Sequence, residues 1–101
     1  MHTQISRERI DAIKARVDFV ALAAERGLSL RRIGRQHFAL CPFHSERRPS
    51  FKISADLGLF HCFGCGASGD VIGFVMRLDH VSFPEALSIL GTWAGVARER
   101  R

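Results

Sequence analysis

Long apolar runs are missing from this chain of 101 residues; uninterrupted apolar stretches span only a few positions. A membrane-spanning helix needs about 20 such residues, so none is expected. Cysteine is scarce and odd in number, three in all, which excludes a complete set of internal disulfides. Acidic residues are few and scattered: Asp56, Asp70, Asp79 and Glu85 have no spacing that suggests a catalytic metal pair. There is no internal repeat and no low-complexity linker. The first ten residues are charged and polar and do not read as a secretory signal. A reducing, cytoplasmic setting is the expectation, and there paired cysteines serve metal more often than disulfide.

What is present fits one small domain, residues 1–101, with an ordinary 47% apolar content. So short a chain buries a limited share of its surface, and a metal staple would help it. The formal net charge is +5. Between Arg26 and Lys52, seven basic residues face Glu46 alone, a local surplus of +6, so the remainder carries −1. Concentrated positive charge points to a polyanion. The plainer reading is a solvated surface that also offsets three thiolates on one Zn²⁺.

All three cysteines lie in one stretch, CPFHSERRPSFKISADLGLFHCFGC, residues 41–65. Cys41 and His44 form a CxxH pair, Cys62 and Cys65 a CxxC pair, with seventeen residues between. Two short chelates, each wrapping one edge of an ion, suit a closed tetrahedral structural zinc site. Pro42 stiffens the first turn, and Gly64 and Gly66 let backbone N–H groups turn toward sulfur. His37 and His61 are alternative nitrogen donors. His61, next to Cys62 on a strand, should point the opposite way. A thioredoxin-type CxxC lacks its βαβ context here. His44-Ser45-Glu46 with Cys62-x-x-Cys65 superficially matches a zinc deaminase, but Cys41 would fill the position that enzyme leaves to water, and His61 stands where its proline is expected.

Local patterns give the frame. Ser6 caps a helix bearing Ile10, Ile13 and Val17; Asp18 caps a second, Phe19 to Arg26, ended by Gly27. Leu28, Leu30, Phe38 and Leu40 alternate around Gly34-Arg35 as a hairpin leading to Cys41. Ser50–Ser54 and Leu59–Phe63 form another hairpin, turned through residues 55–58, leading to Cys62. After a tight exit at Gly66, Ser68 and Gly69, Asp70 opens a helix to about Leu78. Ser82-Phe83-Pro84-Glu85 reads as a capping box for a last helix, to about Leu90 with Gly91 as the stop. Trp93 and Val96 should pack back. The fold class is α+β: a zinc ribbon (28–66), a small antiparallel β-sheet, between helical segments 1–27 and 67–97, with a basic tail at 98–101.

Arg47, Arg48 and Lys52 lie between the chelating pairs, so the metal must hold them nearby, interleaved with Phe51, Phe60 and Phe63. Cations beside flat rings suit a single nucleic-acid strand. Phe38, Phe43, Phe51, Phe60, Phe63 and Phe74 are each more often core than stacking surface, and whichever share a face with Lys52 and His61 are the stacking candidates. Strand alternation turns Lys52 away from Phe51 and Ile53, and His61 away from Phe60 and Cys62. The expected contacts are Arg47, Arg48, Lys52 and His61, with Arg31, Arg32 and Arg35 as secondary contributors.

The segments HFALCPFHSERRPSFKIS and FHCFGCGASGDVIGFVMRLDHVSFPEAL closely resemble the N-terminal zinc-binding domain of bacterial DnaG-type DNA primases. The likeness runs to about Leu90. It implies structural zinc on Cys41, His44, Cys62 and Cys65, recognition of single-stranded template DNA, and a part in primer initiation during replication. It also implies a separate catalytic TOPRIM domain as partner, so the chain alone is expected not to be an enzyme. Arg47-Arg48 stand where the family has a lysine and a small hydroxyl residue. Since 101 residues leave no room for a TOPRIM domain, the chain reads as an excised primase domain or a small stand-alone relative working in trans. The competing reading is a zinc-ribbon module that docks a protein, such as a replication factor.

Overall fold

A computed structural model describes residues 6–44 and 48–95. Helix α1 (Arg7–Arg16) starts where the Ser6 hydroxyl accepts the Arg9 N–H at 3.1 Å. Helix α2 (Phe19–Glu25) starts likewise, the Asp18 carboxylate accepting the Ala21 N–H at 3.0 Å. Each cap satisfies an amide that the first turn leaves unpaired. Gly27, at φ 97°, carries the chain out of α2 through a conformation a side chain would oppose.

The two expected hairpins merge into one sheet. Strands β1 (Arg31–Ile33), β2 (Gln36–Ala39), β3 (Phe51–Ser54), β4 (Leu59–Cys62) and β5 (Ser68–Asp70) run antiparallel in chain order. The fifth strand replaces the simple exit expected after Gly66. Its Ser-Gly-Asp composition has no strand signal, yet Phe60 pairs with Gly69 and His61 with Ser68. A Cβ on Gly69 would lie 3.4 Å from the Phe60 ring, so the bare glycine lets the ring lie across the strand.

Register divides the sheet into two faces. Phe51, Ile53, Phe60 and Cys62 are buried under the helices. On β2 the core residue is Ala39, paired with Phe51, whereas Phe38 is half-buried and Leu40 exposed. The Phe38/Leu40 alternation therefore marks the strand but not its core side.

Asp70 ends β5 and caps α3 (Val71–Asp79), accepting the Gly73 N–H at 2.9 Å, while Lys14 approaches its other oxygen at 3.4 Å. The capping box forms as expected: Ser82 and Glu85 satisfy each other's backbone amides at the start of α4 (Phe83–Ala94). Gly91 does not stop this helix. It falls on the buried stripe with Ala86, Leu87 and Leu90, and packing there outweighs the roughly 1 kcal/mol that a mid-helix glycine costs. The left-handed stop is Gly95, φ 74°. Trp93 does pack back, its indole N–H reaching Glu25 at 3.2 Å; Val96 lies outside the described residues.

The core is dense in phenylalanine. Phe51 stacks on Phe60 with centroids 5.5 Å apart, and Phe19 meets Phe74 edge-on at 5.1 Å. Such ring pairs add about 0.5–1.5 kcal/mol each beyond their burial. Arg26 bonds Asp79 at 3.0 Å, tying the end of α2 to the end of α3.

Candidate metal centre

Cys41 follows β2 and Cys62 ends β4, and β3 pairs with both strands: Ala39, Phe51 and Cys62 lie in one row. Each chelate therefore hangs from the same end of the sheet. The ligand atoms of Cys41, His44, Cys62 and Cys65 all lie within 4.8 Å of one another. Zinc–sulfur bonds of about 2.3 Å in a tetrahedron put sulfurs about 3.8 Å apart. Cys41 Sγ and Cys65 Sγ are 3.9 Å apart, and all three cysteines are free. Three sulfurs and one imidazole at this spacing fit one structural zinc. Neither His37 nor His61 belongs to the cluster: His61 pairs with Lys52 and alternates to the face opposite Cys62, and His37 pairs with Ile53, further along β2 from the end that leads to Cys41.

The turns supply the supporting hydrogen bonds. Phe43 N–H donates to Cys41 Sγ at 3.4 Å, and Ser50 Oγ lies 3.6 Å from Cys62 Sγ. Backbone N–H groups of Cys65 and Gly64 also point to Cys62. Gly66 acts differently from expectation: at φ 80° its N–H closes the turn on the Cys62 carbonyl at 2.8 Å, not on sulfur. Burial pushes the Cys41 thiol up to about 12, against the Phe43 N–H, which favours its thiolate. Burial acts on Cys62 in the same sense, but the surrounding donors outweigh it and bring that thiol down to about 7. Cys65 is exposed at the outer edge.

The other face of the sheet holds the expected polyanion contacts only in part. Arg31, Phe38, Lys52, His61 and Ser68 are successive cross-strand partners, one row across all five strands. Lys52 Nζ sits 5.2 Å from the Phe63 ring centre, and His61 meets the same ring edge-on at 4.8 Å. Phe63 is 63% exposed. It was not among the expected contacts, although its place two residues past His61 sets it on that face. Arg48 is exposed just ahead of β3; Arg47, with Ser45 and Glu46, lies outside the described residues. Arg32 pairs with His37 and alternates to the opposite face from Arg31. Arg35 occupies the β1–β2 turn, at the end of the sheet away from the cysteines, about 20 Å distant at 3.3 Å per residue.

Known proteins carry this pattern. The profile of the DnaG zinc ribbon, described as a CHC2 zinc finger, matches residues 5–101. A DNA primase of Thermotoga maritima is 50% identical over 92 residues, 91% of this chain and 16% of that protein. A DNA primase of Geobacillus stearothermophilus is 45% identical over 96 residues, 95% of this chain and again 16% of the relative. The crystal structure of the Aquifex aeolicus primase, comprising zinc-binding and RNA polymerase domains, superposes with a TM-score of 0.82 at 35% identity. That match covers 90% of this chain and 22% of the other. The chain thus spans about a sixth of the length of the curated relatives it matches.

Proposed function

The chain belongs to the CHC2 zinc-finger family of DnaG-type primases, and from that membership we propose that it is a zinc-stapled module that binds single-stranded DNA. In this reading it takes part in template recognition and primer initiation, in the cytoplasm, together with a primase catalytic part that does the polymerisation. The relatives named DNA primase and the structural neighbour's paired zinc-binding and RNA polymerase domains support that partnership. The module itself is non-catalytic. Four protein donors complete a tetrahedral ion, so no position is left for a water to be activated. No helix among the described residues is long and apolar enough to cross a membrane.

The observation that carries the reading is the cluster of Lys52, His61 and exposed Phe63 on the sheet face turned away from the core, continued by Phe38 and Arg31. Zinc bound at the cluster would tie the ends of β2 and β4 together and so hold this surface in place. A base would stack on Phe63, with neighbouring phosphates on Lys52, Arg31 and Arg48. Base–aromatic stacking contributes about 1–3 kcal/mol per base, and each phosphate contact adds about −0.7 to the slope of log affinity against log salt.

Fluorescence anisotropy with a labelled oligodeoxynucleotide tests this. Phe63→Ala should weaken binding about tenfold with the salt slope kept, in line with one lost stack. Lys52→Ala should flatten the slope by about 0.7. Both variants should retain one zinc per chain. Wild-type affinity and slope in both would refute the surface, and co-purification of a protein on it instead would favour the docking reading.

A further inference from the structure

Beyond this reading, the reverse side of the β1–β2 hairpin carries a second cluster, of two arginines and a histidine. Arg32 and His37 are cross-strand partners, and His37 is in turn paired with Ile53, a fully buried core residue. They therefore project to the helix-covered side of the sheet, opposite Lys52 and His61. Over β3 and β4 that side is filled by the core. At β1 and β2 it opens into a depression of about 500 Å³ lined by Arg32, Arg35, His37, Ala55 and Asp56. It is an open hollow with a mostly polar lining, suited to a small charged group held at the surface.

The lining is partly preorganised. Arg32 Nε donates to the Gly34 carbonyl at 2.9 Å, which fixes the guanidinium against its own turn, and no carboxylate among the described residues pairs with it. Among the described residues Arg35 is held only by Asp56, at 3.7 Å with both side chains mostly exposed, a contact of small worth. Two guanidinium forks and an imidazole around one hollow present several N–H donors, and a phosphoryl group, with three oxygens and more negative charge than a carboxylate, can accept from all three side chains at once.

We propose that Arg32, Arg35 and His37 form a phosphate-binding site on the back of the hairpin, separate from the Lys52–His61–Phe63 surface. The phosphoryl group comes either from a nucleic-acid backbone turning round the β1 edge or from a small phosphate compound such as a free nucleotide. Asp56 tempers the site: with the two arginines it leaves a net charge of +1, so its removal should favour an anion.

The test uses zinc-loaded protein and nuclear magnetic resonance titration, following the side-chain signals of Arg32, Arg35 and His37. Inorganic pyrophosphate probes the small-molecule source, and a single-stranded oligonucleotide with a 5′-hydroxyl end probes the backbone source. At least one should shift these signals, and whichever acts at the lower concentration identifies the source. Arg32→Gln should weaken that response about tenfold, matching loss of a charged hydrogen bond, whereas Asp56→Asn should strengthen it several-fold. Lys52→Ala should leave the pyrophosphate response unchanged. No shift with either probe, or an equal response in Arg32→Gln, would overturn the site while leaving the single-strand surface standing. Loss of the response in Lys52→Ala would also overturn it, by merging the two surfaces.

Discussion

Cys62 and Cys41 sit in the same cluster but hold their protons very differently. Without metal, the Cys41 thiol, raised to about 12, is protonated throughout the neutral range, while Cys62, at about 7, is already largely thiolate at mildly alkaline pH. A zinc ligand must be the thiolate, so loading the site expels the Cys41 proton in full and only part of the Cys62 proton. Calorimetry at about pH 7.5 in buffers of different ionisation heat should report at least one proton released per zinc. Acidification works in the opposite direction, because protons compete with the metal for the Cys41 and Cys62 sulfurs, and metal retention should fall as the pH drops through the weakly acidic range. A buffer-independent heat would contradict this assignment. Cys62→Ser removes a fully buried sulfur at the end of β4, beside Ser50, and should abolish stoichiometric zinc. Metal analysis of the purified variant gives the answer directly.

Helix starts are where single elements can be weighed. Ser82 accepts the Glu85 N–H and anchors the Glu85 carboxylate, so Ser82→Ala should lower stability by about 1 kcal/mol, read as a shift in the denaturation midpoint with zinc content unchanged. These caps were legible in the sequence because capping is decided within four residues: Ser6, Asp18, Asp70 and Ser82 all act as their local patterns implied. The metal cluster was legible for a related reason, since each chelate is a short-range motif and only their meeting is long-range. What the sequence hid was settled by tertiary packing. Strand β5 forms by pairing a Ser-Gly-Asp segment without strand propensity onto β4, and Gly91 stays helical because it lies on a buried stripe. The arginines of the first hairpin looked like one group along the chain. Period-two alternation and the turn send Arg31 to one face and Arg32 to the other, with Arg35 at the far tip. Phe63 was one of six rings of which those sharing a face with Lys52 and His61 were the stacking candidates, and counting by twos from His61 singles it out.

For the molecule as a whole, two of the four metal ligands are part of the apolar core. Cys41 and Cys62 belong to the same buried cluster as Phe51, Phe60, Phe74 and Leu22, which draws on the sheet and the helices together. Structural zinc is worth about 10–16 kcal/mol in small metal-binding peptides, against about 5–15 kcal/mol of net stability for a typical domain. Chelation should therefore unravel at least the ribbon, with a large drop in the thermal midpoint followed by circular dichroism, and re-added zinc should restore it. A midpoint unmoved by metal removal would show that the helices and sheet hold themselves.

The strand sequence has a kinetic consequence. Because every strand bonds to its immediate neighbour along the chain, the sheet requires only short loop closures, whereas the docking of α1 on α4, where Arg9 reaches the Leu87 carbonyl, spans most of the described residues. The meander can zip up early and present both chelates to an incoming ion, leaving the meeting of first and last helices as the slow closing event.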